Sequence, residues 1–182
     1  MCGRYLMDDE AYSEIFTDIA MGEVFPTNIA PVIAQTGVVA IKWGFPHWKG
    51  SGVIINARAE TALEKTMFRE PLLNQRCVIP SGGFYEWNRA NGQKKKDKYL
   101  FQIPGERVLH MAGMIGLFTN ADGFEYSAFV ILTTSANASV APIHDRMPVI
   151  LAPDEREGWI KETKFMEHAL RRPGPLLCAY LV

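Results

Sequence analysis

The sequence predicts an α+β fold in which a curled, barrel-like and mainly antiparallel β-sheet is flanked by a few helices. Two observations favour this class. Short runs of β-branched and aromatic residues recur along most of the chain and are separated by glycine, asparagine or proline. Helical periodicity is confined to a few segments. With 182 residues and neither repeats nor a linker, we expect a single domain over residues 1–182.

The strands are predicted from apolar runs of strand length that end at turn residues. Residues Asn120 to Gly123, for example, join two long runs and are typical of a tight turn. The predicted strands cover residues 30–34, 38–43, 53–55, 76–80, 84–87, 98–103, 108–118, 124–134, 149–151 and 176–182.

Apolar residues spaced i, i+3, i+4 predict a helix over residues 9–20, and similar patterns predict helices over 62–75, 135–140 and 154–171. We expect Pro71 to break the second of these helices. Residues 44–52 read as a glycine-rich loop between Trp43 and Trp48. Because such a loop rarely buries an indole, one of the two tryptophans is a candidate for a surface role.

Composition limits the possible functions. An apolar fraction of 48% and a charged fraction of 21% are ordinary for a globular protein. The net charge of −1 provides no general basic field, so a nucleic-acid site would have to be built from local arginines. No signal peptide or membrane span is evident, and we expect a cytoplasmic, nucleoid-associated protein with no membrane contact.

Three cysteines without a Cys-x-x-Cys spacing argue against a disulfide framework and a structural zinc site. Cys77 and Cys178 lie in apolar runs and are expected to pack in strands. Cys2 differs, because removal of Met1 would leave its thiol and a free α-amine on adjacent carbons. Such an aminothiol can attack an acyl carbon through sulfur, or condense with an aldehyde into a thiazolidine ring.

Polar residues occur where a packed strand would not be expected to carry them. Asn56 and Arg58 follow a hydrophobic strand, and Glu86 lies between two aromatic residues. His144 and Arg146 lie between two prolines that stiffen the backbone. A carboxyl group that is partly desolvated suits proton transfer, and a histidine held in one place suits a proton donor.

Together with Cys2, these residues form a pattern that resembles the SOS response-associated peptidase (SRAP) family of abasic-site shielding proteins. The resemblance runs in the family's order along most of the chain. It is carried by residues 1–5 (MCGRY), 43–44 (WG), 56–61 (NARAET), 76–77 (RC), 83–87 (GFYEW) and 144–149 (HDRMPV).

The resemblance implies a largely β, pseudo-barrel domain with a groove for single-stranded DNA that contains an abasic site. It implies that Cys2 bonds to the lesion's aldehyde as a thiazolidine, with Asn56 orienting the terminus. Glu86 would be the acid/base group, and His144 would donate a proton to the sugar oxygen and help resolve the adduct. No metal or other cofactor is implied, and we expect a monomer.

The DNA contacts expected from the resemblance are of two kinds. Three arginines would hold the phosphates that flank the lesion, and the other residues would stack on bases or part the strand. The arginines are Arg4, Arg58 and Arg146, the stacking residues are Trp48 and Trp87, and the wedge is Pro31.

Three other functions remain open at this point. Class II glutamine amidotransferases also begin Met-Cys-Gly, although they usually continue with an apolar residue where this chain has Arg4. A thiol peptidase could use Cys2, His144 and Glu86 as nucleophile, base and orienting group, and could remove its own Met1. A non-covalent single-stranded DNA-binding module would need only the arginines and tryptophans.

Overall fold

The protein is described by a computed structural model over residues 2–8, 18–47, 50, 52–88 and 96–182. Fifteen strands lie in these ranges. They are β1 (Arg4–Met7), β2 (Gly22–Val24), β3 (Ile29–Ala34), β4 (Gly37–Trp43), β5 (Phe45–Pro46), β6 (Val53–Ile54), β7 (Asn56–Arg58), β8 (Arg76–Ser81), β9 (Gly83–Trp87), β10 (Lys98–Gln102), β11 (Leu109–Thr119), β12 (Glu125–Ser135), β13 (Arg146–Pro148), β14 (Ile150–Leu151) and β15 (Cys178–Leu181). The helices are α1 (Thr66–Asn74), α2 (Arg156–Lys161) and α3 (Thr163–Ala169), with a 3₁₀ turn over Pro153–Glu155.

Five of these strands close into a ring. β4, β3, β8, β11 and β12 pair in that order as antiparallel neighbours, and β12 then pairs with β4 in parallel. Closure leaves no open edge within the ring. β13 and β7 add to β12, and β14 adds to β11. The predicted curled, mainly antiparallel sheet in an α+β fold is therefore confirmed.

A second sheet brings the start of the chain to the ring. Its order is β15-β10-β9-β1-β2, and all of its pairings are antiparallel. Arg4 pairs with Tyr85 across β1 and β9, so the residues before Arg4 run alongside Glu86. This pairing positions Cys2 among residues that are far away in sequence.

Apolar side chains lie on both faces of the ring, because neighbouring residues of a strand point in opposite directions. On β11, Met111 and Ile115 belong to one buried cluster, which includes Cys2, and Ala112 and Met114 belong to the other. The second cluster is covered by the helices through Leu72, Trp159, Met166 and other residues. Burial of each large side chain is worth about 1.5–3 kcal/mol.

The predicted loop over residues 44–52 contains a short strand. Gly44 has φ +117°, and a Cβ at that position would lie 2.9 Å from Cβ of Val53. Only glycine fits both constraints. The turn directs Phe45 into the second cluster and Trp43 into the first, and both side chains are fully buried. A surface role for Trp43 is therefore wrong, and Trp48 lies outside the described residues.

The helix predictions needed three corrections. α1 continues through Pro71 to Asn74, because burial of Phe68 and Leu72 outweighs the one hydrogen bond that the proline removes. The predicted helix over 154–171 is divided at Glu162, which is extended with φ −108° and ψ 118°.

Residues 135–140 end a strand and form turns, in which the Asn137 side chain accepts hydrogen bonds from Ser139 and competes with helix formation. Most of the predicted first helix, residues 9–17, lies outside the described residues. None of the helices within the described ranges is long and apolar enough to cross a membrane.

Candidate active site

Cys2 is fully buried beside the end of β9 and is held through its backbone. The Nδ2 group of Asn56 donates a hydrogen bond of 2.9 Å to the carbonyl oxygen of Cys2, 54 residues away in the chain. Asn56 is itself held by parallel pairing of β7 with β12, opposite Ile131. Two non-local strand pairings, β1 with β9 and β7 with β12, therefore bring these two residues together.

The other amide atom of Asn56 is an available acceptor. Its Oδ1 is buried and has no hydrogen-bond partner among the described residues. A buried acceptor without a donor costs about 1–3 kcal/mol, so its presence suggests that a donor is expected there. An amine at the neighbouring Cys2 would be such a donor.

Glu86 and His144 form the second half of the site. Both residues are buried, at 3% and 4% exposure, and Oε2 of Glu86 lies 3.6 Å from Nε2 of His144. The backbone N–H of Arg146 donates to Nδ1 of His144 at 3.0 Å. Nδ1 also lies 3.2 Å from the carbonyl oxygen of Arg146, so Nδ1 has both a backbone donor and a backbone acceptor beside it, and Nε2 faces Glu86. Asp145 Oδ1, 3.2 Å from Nδ1, would stabilise the protonated ring.

The thiol of Cys2 is strongly protonated in this environment. Burial raises its pKa far above the ordinary value, and the nearby Glu86 carboxylate raises the pKa further. The Sγ–H group lies 3.5 Å from the carbonyl oxygen of Arg4. The site therefore holds a neutral thiol, rather than the thiolate that nucleophilic cysteines use at neutral pH.

Arg4 lies at the edge of the site in an ion pair. Its Nη1 is 2.7 Å from Oε1 of Glu23, and its guanidinium stacks on Phe25 with 3.7 Å to the ring centroid. Lys98 binds the other oxygen of Glu23 at 2.5 Å. Trp87 is half-buried and lies 5.7 Å from the same guanidinium, so it is available for a contact at this edge.

Arg146 is anchored on the opposite side of His144. Its Nη1 and Nη2 atoms contact the two carboxylate oxygens of Glu60 at 2.6 and 2.8 Å. Nη2 also donates to the carbonyl oxygen of Thr133 at 2.6 Å. Arg58, on the same strand as Asn56, is exposed. Two predicted phosphate ligands, Arg4 and Arg146, are thus paired with carboxylates.

Of the remaining predicted residues, Pro31 is buried within β3 and Trp48 is not among the described residues. The wedge role expected of Pro31 stays a prediction. Cys77 is fully buried in β8 as expected, and Cys178 is partly buried in β15. Within the described ranges, no three His, Cys, Asp or Glu residues are grouped so as to hold a metal ion.

Sequence reasoning missed the acidic partners of the arginines. Glu23 lies near Arg4 through the β1–β2 pairing, and Glu60 reaches Arg146 from the turn after β7. Glu60 belongs to one of the recognised blocks, but nothing in its neighbours indicates an ion pair 86 residues away. Such contacts follow from tertiary pairing and leave no local signal.

Comparisons with known proteins identify the family. The family model described as "SOS response associated peptidase (SRAP)" matches residues 1–176. Abasic site processing protein YoaM of Bacillus subtilis (strain 168) is 33% identical over 181 residues, covering 88% of this chain and 79% of that protein. Abasic site processing protein YedK of Escherichia coli (strain K12) is 31% identical over 121 residues, covering 66% and 53%.

Solved structures show the same fold. A protein from Bacteroides thetaiotaomicron matches with a TM-score of 0.78 and 28% identity, over 99% of this chain and 84% of that chain. One from Bordetella bronchiseptica matches with a TM-score of 0.84 and 22% identity, over 100% and 99%, which is evidence of fold alone. The family match over nearly the whole length is decisive: this chain belongs to the SRAP family.

Proposed function

We propose that this protein captures abasic sites in single-stranded DNA through a covalent bond to Cys2. The observation that carries the proposal is the convergence of Cys2, Asn56, Glu86 and His144 in one buried cluster. The names of its relatives, abasic site processing proteins, support the same substrate.

The chemistry requires removal of Met1, which frees the α-amine of Cys2. An abasic deoxyribose opens to an aldehyde at C1′, and the amine adds to this carbon. Loss of water gives an imine, and the thiol then adds across the C=N bond. Sulfur bonds to C1′ and the thiol proton passes to nitrogen, so the products are a thiazolidine and one water. No external oxidant, reductant or cofactor is needed for this balance.

Each polar residue has a role in these steps. The unpartnered Oδ1 of Asn56 accepts a hydrogen bond from the amine and directs its lone pair toward the aldehyde. Glu86 accepts and returns the protons that move during addition and loss of water. His144, with Nε2 toward Glu86, donates to the sugar oxygen as the ring opens. Two buried proton carriers in contact make transfer possible without bulk water.

The raised pKa of the thiol favours amine attack before sulfur attack. The thiol adds to the imine as its proton passes to nitrogen, whereas a thiol that keeps its proton attacks an amide poorly. The same property disfavours cleavage of other proteins by a Cys2 thiolate, although the family carries the description peptidase. Self-removal of Met1 is compatible with the site, because it concerns the bond next to Cys2.

The DNA would run across the site, from Arg4 on one side to Arg58 and Arg146 on the other. Arg58 is exposed and offers a free fork for phosphate. Arg4 and Arg146 would exchange their carboxylate partners for phosphate oxygens. Trp87 and Trp48 are the candidates for stacking on bases.

The test mixes protein lacking Met1 with a single-stranded oligonucleotide that carries one abasic site. We expect a protein–DNA band that survives a denaturing gel, and mass spectrometry should give the summed mass minus one water. Cys2→Ala should abolish the band. Cys77→Ala is the matched control, because Cys77 is an equally buried thiol outside the site. A wild-type band from Cys2→Ala would contradict the proposal.

Three further measurements separate the alternatives. A non-covalent module would give a native-gel shift that Cys2→Ala leaves intact and no band on a denaturing gel. An amidotransferase would release ammonia from glutamine. A peptidase acting on itself would lose Met1 when expressed without methionine aminopeptidase, and Cys2→Ala would keep it.

A further inference from the structure

Arg76 is a buried cation that no carboxylate of the described residues neutralises. It is 4% exposed, and no acidic group within the described residues forms an ion pair with it. Burial lowers the pKa of its guanidinium, which nevertheless stays charged at neutral pH. A buried charge of this kind is costly unless other groups stabilise it.

Part of the charge is stabilised by helix ends. Nη1 donates to the carbonyl oxygens of Leu72 and Leu73 at 2.8 and 2.7 Å, in the last turn of α1. Nε donates to the carbonyl oxygen of Trp159 in α2. These bonds cap orphan carbonyls and use three of the five guanidinium N–H groups. Carbonyl dipoles offset a cation only in part.

The two remaining N–H groups both belong to Nη2. This nitrogen has no hydrogen-bond partner among the described residues, and it is not completely sealed from the surface. Arg76 also lines a cavity of about 380 Å³. The residue that lines the cavity thus carries two N–H groups that no described residue uses.

The cavity has one apolar wall and one polar rim. The apolar wall is formed by Val39, Ile41, Ile115 and Ile160. The rim residues are Gln35, Thr36, Asn74, Gln75 and Ser127. None of these residues belongs to the Cys2 site. The volume lies within the range of sites for small ligands.

We propose that this cavity binds a small amphipathic carboxylate, with one carboxylate oxygen on Nη2 of Arg76 and an aliphatic tail against the isoleucines and Val39. A carboxylate oxygen would accept a charge-assisted bond from one of the two unused N–H groups. The apolar wall selects an aliphatic body over a small inorganic anion. The proposal is independent of the chemistry at Cys2.

The probe is sodium hexanoate, compared with 1-hexanol, which has the same tail without the charge. Titration of the ¹⁵N-labelled full chain by NMR should give saturable shifts at the amides of Gln75 and Ser127. We expect hexanoate to bind at least about tenfold more tightly than 1-hexanol, since bonds to a charged donor contribute that much. Equal affinities, or the absence of saturable shifts, would overturn the proposal.

Variants locate the site without removing Arg76, whose loss would also uncap α1. Ser127→Glu places a competing carboxylate in the cavity and should weaken hexanoate binding at least about tenfold. Thr119→Glu, at an exposed position in β11, is the control with the same charge change. Thr36→Glu, in the exposed turn after β3, serves if Ser127→Glu does not fold. Unchanged hexanoate affinity in a folded Ser127→Glu or Thr36→Glu protein would refute the assignment.

Discussion

The surroundings of Arg76 and of the Cys2 cluster show two ways of burying polar groups. Arg76 donates to backbone carbonyls at the ends of helices, so its partners are fixed by secondary structure. In the Cys2 cluster, ionisable side chains face one another, with Glu86 and His144 at 3.6 Å and an unpartnered amide oxygen on Asn56. The first arrangement mainly stabilises the fold, whereas the second has the groups that the proposed reaction needs for proton transfer. The comparison teaches that burial alone does not distinguish a structural charge from a reactive one.

The largest effect is expected at Cys2. Cys2→Ala should remove all covalent product, because no other group supplies both sulfur and nitrogen. Stability should fall by only about 1 kcal/mol, the amount expected for one buried heavy atom. Urea unfolding with the crosslinking assay measures both quantities. A loss of product that merely followed unfolding would appear in Cys77→Ala as well.

Glu86→Gln and His144→Ala should each slow crosslinking by about 100-fold, which is typical of losing a positioned acid or base. The final yield should recover at long times, because the nucleophile is still present. Single-turnover rates on an excess of protein measure this effect. His110→Ala is the control. His110 is also a buried histidine, but its side chain lies on the face of β11 that points away from the Cys2 cluster. Wild-type rates from both site variants would show that the pair is structural.

Arg76→Met should show the reverse pattern. Three carbonyl groups lose a charged donor, so the free energy of unfolding should fall by about 3 kcal/mol. The crosslinking rate of the folded fraction should be unchanged. Denaturant unfolding measures the loss of stability, and single-turnover kinetics at low temperature measure the crosslinking rate. A slowed reaction in fully folded protein would mean that the two regions are coupled.

Glu60→Gln should strengthen DNA binding modestly. It removes the carboxylate that holds both Nη atoms of Arg146, so this arginine becomes available to phosphate. We expect binding to undamaged single-stranded DNA to tighten by about threefold and to depend more steeply on salt. Glu64→Gln is the matched control, because Glu64 is exposed nearby and forms no ion pair in the described structure. Equal effects of the two variants would assign the change to net charge.

The smallest effect concerns pH. Burial alone would raise the pKa of Glu23, but hydrogen bonds from Lys98 and Arg4 outweigh it and lower the pKa below 4.5. A lowered pKa gives stability that is present above about pH 4.5 and is lost as pH falls through the folded-state value. Glu23→Gln should therefore cost at most about 1 kcal/mol at pH 7, and the difference should shrink toward about pH 3. Unfolding curves across this range would reveal a constant difference if the ion pairs contributed nothing.

The sequence predicted most strands, because their apolar runs end at turn residues. It also singled out Cys2, Asn56, Glu86 and His144 from an unusual combination of residue types, and the structure brings these residues into contacts whose catalytic role stays a prediction. What it did not predict depends on tertiary pairing. The strands packed around Pro31 and Trp43 decide that both residues are buried, and nothing in the neighbouring sequence indicates this. The carboxylates of Glu23 and Glu60 are far from their arginines in the chain. The helix continues through Pro71 because neighbouring helix residues pack in the core.

The parallel pairing of β7 with β12 has a consequence for insertions and deletions. β12 also pairs with β13. The register of β12 therefore fixes the position of Asn56 on one neighbouring strand, and on the other it fixes Arg146, whose backbone N–H bonds His144. Neighbouring side chains of a strand face opposite sides, so a shift of one position would reverse all of them. Loops elsewhere can change length with little penalty, but a single added or deleted residue within this strand would misalign both halves of the proposed site at once.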